Sequence, residues 1–359
     1  MDIEKNVARH VRELTPYQSA RRIGGHGHTF LNANESPKSE AYLLNSTSLN
    51  RYPDCQPHDL IEKYSDYLGV QKDQVLASRG SDEAIGLIIR TFVESDEGIM
   101  TAPPTYGMYE VSAHTNNVHV AHAKRGEGFS LCAQALIDAA KAAPFRVKAI
   151  FIDSPANPLG TLFPREELEK ALKALPDTFI VLDEAYIEFA PKGSSLVSMV
   201  ADHDNLIVTR TLSKAFALAG IRCGFTVANP EVIRNMLKVI DPYPICDPVA
   251  QIACQALTPM GIGLMEKRVE GANERRARLV EALKANPLVT EIFPCTGNFV
   301  LARFKDGPAV FQGEAQHGVI LRSFEDKPGL TNCVRISVGS EEELSECMRI
   351  LDEMGKANG

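Results

Sequence analysis

NLIVTRTLSKAFALAGIRCGF (Asn205–Phe225) is the stretch on which the reading of this chain turns. NLIVTR (Asn205–Arg210) has the length and β-branching of a buried strand. Lys214 follows it, flanked by hydroxyls at Thr211 and Ser213, and Arg222 stands further on between Gly220 and Gly224. A lysine at a strand end among apolar neighbours is partly desolvated, which frees its amine for Schiff-base chemistry. Small hydroxyls and an arginine beside it suit a phosphate. Together these residues describe a site for pyridoxal phosphate. Alone they describe equally well a solvated loop lysine and an ordinary arginine, so the surroundings have to decide.

Upstream, strand and helix patterns alternate. DLIEKYSDYLGV (Asp59–Val70) reads as an amphipathic helix closed by Gly69. QVLAS (Gln74–Ser78) is a short strand, and a helix opens at Gly80-Ser81-Asp82-Glu83. Helix N-termini offer free amide hydrogens and a positive dipole end to phosphate. An ordinary cap is the plainer reading of that sequence. A strand precedes Pro103-Pro104 and a helix follows, with Tyr106 and Tyr109 near the turn, where an aromatic could stack on a flat ring. VHVAHA (Val118–Ala123), a helix over Leu131–Ala142 and the strand VKAIFID (Val147–Asp153) continue the series. SPANPLG (Ser154–Gly160) is a polar turn, and PREELEKALKAL (Pro164–Leu175) a helix with proline in its first turn. TFIVLDEAYIEF (Thr178–Phe189) is a strand ending in Asp183, with Tyr186 shortly after.

Alternation of this kind implies βαβ units and a mostly parallel sheet flanked by helices. Ligands of such sheets bind beyond the carboxyl ends of the strands. Gly80–Asp82, Tyr106, Asn157, Asp183 and Lys214 each follow a different strand pattern, so they are expected to converge on one side of the sheet. A dinucleotide-binding reading fails, because no GxGxxG follows a strand.

After a helix at Pro230–Ile240, the three prolines of DPYPICDP (Asp241–Pro248) break the pattern. A long charged helix, about Leu264–Ala285, leads to three short strands, NFVLARF (Asn298–Phe304), GVILRSF (Gly318–Phe324) and CVRISVG (Cys333–Gly339), and a closing helix, Glu341–Gly355. This reads as a smaller α+β domain. The expected division is an arm over 1–32, a large α/β domain over 33–250 and a small domain over 251–359. Arg322 and Arg335 fall inside strand patterns, where a charge has to be paired. Each is a structural ion pair or an anion reader; their occurrence in neighbouring strands favours the reader.

The bulk properties bound the rest. The 359 residues suit about two domains. With 44% hydrophobic and 23% charged residues the chain is an ordinary globular one. A net charge of −8 and the absence of a basic run argue against nucleic acid as a partner. The eight cysteines contain no CxxC pair, so neither a metal site nor a disulfide framework is indicated. His26 and His28 in GGHGH (Gly24–His28) lack acidic or cysteine companions and read as loop residues. No apolar run is long enough for a signal peptide or a membrane span, and a soluble cytoplasmic protein is expected.

With lysine, aspartate, asparagine and glycine turn in this order, the chain resembles the fold type I pyridoxal-phosphate enzymes, the aspartate aminotransferase superfamily. LNANESP, RYPD, RGSDEAI, PPTYGMY, DEAYIEF, TLSKAFALAGIRCGF and VRISVG narrow the resemblance to the histidinol-phosphate aminotransferase family, from about Thr15 to Gly339. The resemblance implies that Lys214 carries the cofactor as a Schiff base and shuttles the substrate proton. Asp183 pairs with the pyridine nitrogen. Asn157 and Tyr186 bond the ring's phenolic oxygen and lower the proton affinity of the Schiff base. Tyr106 stacks on the ring. Ser81, Asp82, Thr211, Ser213 and Arg222 hold the phosphate, and Tyr52 reaches it from a second subunit, so a homodimer with sites at the subunit interface is implied. On the substrate side stand Arg335, Arg322, Asn34 and Tyr17, the last again from the partner chain. One departure is visible: the family's NNPTG is ANPLG here, with Ala156 and Leu159 replacing asparagine and threonine while Asn157 is kept.

The implied activity is transamination between histidinol phosphate and 2-oxoglutarate in histidine biosynthesis. An aromatic-amino-acid aminotransferase or a threonine-phosphate decarboxylase on the same scaffold would use Lys214 and Asp183 alike. A regulator that binds the cofactor without turnover usually carries a DNA-binding domain, for which this chain has no spare length.

Overall fold

In a computed structural model of the chain the described residues are 1–19 and 26–357. Ala20–Gly25, including the first two glycines of GGHGH, lie outside them. In chain order the strands are β1 (Thr29–Phe30), β2 (Val75–Ser78), β3 (Gly98–Thr101), β4 (His119–His122), β5 (Val147–Asp153), β6 (Phe179–Asp183), β7 (Leu206–Thr211), β8 (Gly224–Ala228), β9 (Val289–Ile292), β10 (Phe299–Phe304), β11 (Val319–Ile320), β12 (Arg322–Ser323) and β13 (Cys333–Ser337).

Seven of them form the large sheet, in the order β2-β8-β7-β6-β5-β3-β4. β4, β3, β5, β6 and β7 run parallel, and only β8 is reversed, antiparallel to β7 on one side and β2 on the other. Both faces of the central strands are covered, which is why β3, β5, β6 and β7 read as largely apolar runs, while the edge strand β4 keeps exposed His119 and His122. Ile150, Ile152, Ile180, Leu182, Leu206 and Val208 pack on one face. Ala149, Phe151, Val181 and Ile207 pack on the other, against Ile85, Ile88 and Ile89 of the helix Ser81–Phe92.

The sequence reading passes over β8, whose GFTVA follows directly on the lysine loop. It also treats GVILRSF as one strand. The structure splits it at buried Leu321. β11 pairs in parallel with β1, while β12 joins the antiparallel sheet β12-β13-β10-β9. β9, VTEI, likewise carries no strand pattern strong enough to be expected from sequence. The long helix starts at Pro259, because Thr258 Oγ1 accepts the Gly261 N–H at 3.2 Å and caps it there. Pro164 caps the helix Arg165–Ala174 from outside, and the helix after β8 ends at Met236. One apolar cluster runs from Leu60 and Phe225 through Ala253 and Leu279 to Phe299 and Val334, so the two sheets share a core. Among the described residues no helix is long and apolar enough to cross a membrane.

Candidate active site

At the carboxyl ends of β5, β6 and β7 lies a cavity of about 1030 Å³. Ser81, Asp82, Tyr106, Asn157, Asp183 and Lys214, brought from separate strand ends, all line it, as do Tyr186, Thr211, Ser213, Arg222, Arg322 and Arg335.

Asp183 ends β6 and is 4% exposed. Its Oδ2 accepts from Tyr109 Oη at 2.8 Å and its Oδ1 from the Ala185 amide at 3.2 Å. Burial pushes its carboxyl up to about 7 against the pull of the Tyr109 hydroxyl, and neighbouring Asp153 adds to the rise. Among the described residues it forms no ion pair. A buried carboxylate at a cavity wall with no cationic side chain paired to it suits a cationic occupant, which a protonated pyridine nitrogen supplies. Lys214 Nζ donates to the Ala33 carbonyl at 2.8 Å and lies 5.5 Å from the centre of the Tyr186 ring.

The anion cradle lies beside the first turn of Ser81–Phe92. Gly80 caps that helix at φ 80°. That φ favours glycine, and a Cβ there would come within 2.6 Å of Arg222 Nη2 and displace the guanidinium from its place. Arg222 itself is left-handed at φ 54°, a strain that persists only where the surroundings enforce it. Its Nη1 donates to Ser213 Oγ at 3.4 Å and its Nη2 to Asp82 Oδ2 at 3.1 Å, while Thr211 Oγ1 donates to Ser213 Oγ at 2.9 Å. Tyr106 Oη donates to Asp82 Oδ1 at 2.9 Å, with its ring edge-on to Tyr109. Free helix amides, hydroxyls and a guanidinium gathered in one place match a phosphate.

The far end is cationic. Arg335 is 6% exposed and donates to Asn157 Oδ1 and to the Asn32 carbonyl. Desolvation brings its guanidinium down to about 10, and Arg322 presses the same way. Arg335 Nε and Arg322 Nη1 are buried without a hydrogen-bond partner. Unsatisfied buried donors are costly, and two of them on arginines at one cavity call for an anion.

Two sites, Tyr17 and Asn34, stand differently from the reading. Tyr17, assigned there to a partner chain, lines this chain's own cavity, because Pro16–Gln18 folds over it and the Gln18 carbonyl accepts from Arg322 Nη2 at 3.2 Å. Asn34 does not face the cavity: fully buried, its Nδ2 donates to Tyr186 Oη at 3.0 Å and its Oδ1 accepts from Ser337 Oγ at 3.0 Å. It supports Tyr186 from behind. Tyr52 lies outside the cavity, 80% exposed and stacked on Tyr243 at 4.3 Å. The reading gave no role to Asp153 or to the hydroxyl of Tyr109. An aspartate closing the buried run FID before a Ser-Pro turn was the available signal for the first.

Residues 25–351 match the family described as aminotransferase class I and II. A histidinol-phosphate aminotransferase of Aeromonas salmonicida (strain A449) is 51% identical over 98% of this chain and 98% of its own. One from Pectobacterium carotovorum subsp. carotovorum (strain PC1) is 45% identical over 99% of each. In fold, the crystal structure of histidinol-phosphate aminotransferase from Sinorhizobium meliloti in complex with pyridoxal-5′-phosphate superposes with a TM-score of 0.87, at 22% identity, covering 98% of both chains. The chain is therefore a class I and II aminotransferase, an enzyme whose cofactor is pyridoxal 5′-phosphate. Within that class it belongs to the histidinol-phosphate aminotransferase family.

Proposed function

We infer that the chain transfers the amino group of L-histidinol phosphate to 2-oxoglutarate, giving imidazole-acetol phosphate and L-glutamate, a step of histidine biosynthesis. The observation that carries this is the pairing of Lys214 and Asp183 with an anion end whose two arginines hold unsatisfied buried N–H groups. Donor and acceptor are both anionic, and guanidinium forks suit a phosphate and a carboxylate in turn.

When bound, the cofactor supplies an electron sink for the carbanion left by the substrate Cα proton. Asp183 holds the ring nitrogen protonated, its charge stabilised by the ion pair it otherwise lacks. Lys214 Nζ would take the substrate Cα proton and hold it for return. Ser81, Asp82, Thr211, Ser213 and Arg222 hold the cofactor phosphate. Tyr106 covers the ring, while Asn157 and Tyr186, the latter braced by Asn34, bond its phenolic oxygen. Arg335 and Arg322 bind the substrate anion, with Tyr17 covering them. Burial raises the Tyr17 hydroxyl above its usual range, which keeps it a neutral donor.

A homodimer completes the site in this reading. Leu43, Leu44, Leu49, Tyr52 and Tyr243 form an exposed apolar group on the segment beside the helix Asp247–Ala256, suited to bury against a second copy and deliver Tyr52 to its cofactor phosphate. The large cofactor-binding part would span 33–250 and the small part 251–359, with the enzyme working in the cytoplasm.

Lys214→Ala tests the reading. Transamination of histidinol phosphate should be lost in the purified variant; near-normal activity would remove Lys214 from the chemistry.

A further inference from the structure

Asp153 is a buried charge for which the roles above have no use. It ends β5, paired with Asp183 in the sheet register. Its side chain and that of Arg125 are each 5% exposed. Oδ1 accepts from Thr105 Oγ1 at 2.8 Å and Oδ2 from the Asn157 amide at 2.8 Å. Arg125 Nη2 stands 3.9 Å from Oδ1. Arg125 is itself fixed, Nε donating to the Ala102 carbonyl at 2.8 Å and Nη1 to the Phe129 carbonyl at 3.3 Å. A buried ion pair is weakly stabilising at best beside an apolar pair of the same size, so stability does not account for it.

What the pair holds is the turn Ser154–Gly160. The bond from the Asn157 amide fixes that residue's backbone, and Asn157 Oδ1 accepts in turn from Arg335 Nη1. One path therefore runs from Arg125 through Asp153 and Asn157 to Arg335, joining the ring end of the cavity to its anion end. The rest of the turn leans the other way: Ala156 and Leu159, the two departures from the family's motif, are 1% exposed in a cluster with Phe293, Leu301, Phe324 and Leu330. Packing sets where the turn sits; the carboxylate sets which way Asn157 faces.

We propose that Asp153, clamped by Thr105 and Arg125, is a positioning residue for the amino transfer, orienting Asn157 so that one turn serves both the ring and the arginine that binds the substrate anion. This rests on the roles given to Asn157 and Arg335 above.

The test uses holoenzyme carrying Asp153→Ala or Asp153→Asn and follows three quantities: the pH midpoint at which the visible band of the resting holoenzyme changes form, KM and kcat for histidinol phosphate, and the thermal midpoint. In the alanine variant the band midpoint should rise by about one pH unit, as expected for one lost hydrogen bond to the deprotonated form. KM should rise about tenfold through Arg335. The asparagine variant keeps an acceptor for the Asn157 amide and should change both by less. A band midpoint and KM at wild-type values, with only the thermal midpoint lowered, would overturn the proposal in favour of a purely structural pair. If Asp153→Ala does not fold, the double variant Asp153→Ala, Arg125→Ala removes the stranded cation and yields the same readings. Should the wild-type enzyme prefer another amino donor, the substrate assignment fails, while the band midpoint still decides the role of Asp153.

Discussion

Asp183 is a carboxylate stored without its cation, and that has a measurable consequence. Its carboxyl is raised from 3.8 to about 7 by burial. Between those values the unfolded chain releases the proton and the cofactor-free fold keeps it, so the folded state binds more protons and stability falls as pH rises. Asp183→Asn removes that fall. In cofactor-free protein the variant should be more stable than wild type at pH 8, with most of the gain gone at pH 5. An equal difference at both would contradict the assignment. With cofactor bound, the same substitution should lower kcat by about a hundredfold or more, since a positioned charge is lost from the reaction centre. Lys214 and Asp183 were legible in the sequence because Asp183 closes a buried apolar strand and Lys214 follows another by three residues, so both face the ligand side. Asn34 and Tyr17 were not. Whether a side chain in an irregular segment faces a cavity or braces a neighbour depends on contacts some 150 and 300 residues away, Asn34 with Tyr186 and Ser337, Tyr17 with Arg322.

At the scale of elements, β8 is the wedge that sets the anion cradle. It runs against the parallel strands, and Gly224 lies against the backbone of the phosphate turn, where a Cβ would come within 2.6 Å of the Gly80 carbonyl carbon and the Ser81 nitrogen. No flexible side chain can yield there, so Gly224→Ala has to push β8 from β2. It should cost about 1–3 kcal/mol in denaturant unfolding and weaken cofactor affinity at the same time. Lost stability with unchanged affinity would separate the strand from the cradle. The alternation of β2 to β7 with their helices was readable because those strands, the edge strand β4 apart, are buried on both faces. β8 was not, since GFTVA opens on a glycine and closes near Pro230 without a turn signal of its own. The split of GVILRSF escaped for a related reason: an apolar run carries no mark of the point where its pairing passes from β1 to β13.

For the whole molecule, the fold gathers Arg222, Arg322 and Arg335 at one pocket of an acidic chain, so anion binding is a matter of local arginines and not of a general field. The two-sheet layout was legible from element order. The cover of Pro16–Gln18 over the pocket was not, because nothing periodic marks it. The exposed apolar group around Tyr52 belongs to this scale. Leu43, 85% exposed, is its outermost member. Leu43→Asp should shift the particle toward monomer in sedimentation and lower cofactor affinity while circular dichroism stays at the wild-type signal. An unchanged assembly would place the dimer contact elsewhere.

The most direct measurement of the central claim is the visible spectrum of the purified protein with histidinol phosphate added, followed by 2-oxoglutarate. The account predicts a band from cofactor bound to Lys214 that gives way to the absorption of the aminated cofactor with the first addition and returns with the second. A band that ignores histidinol phosphate but responds to phenylalanine or tyrosine would contradict the substrate, and no band in the presence of supplied pyridoxal phosphate would contradict the site itself.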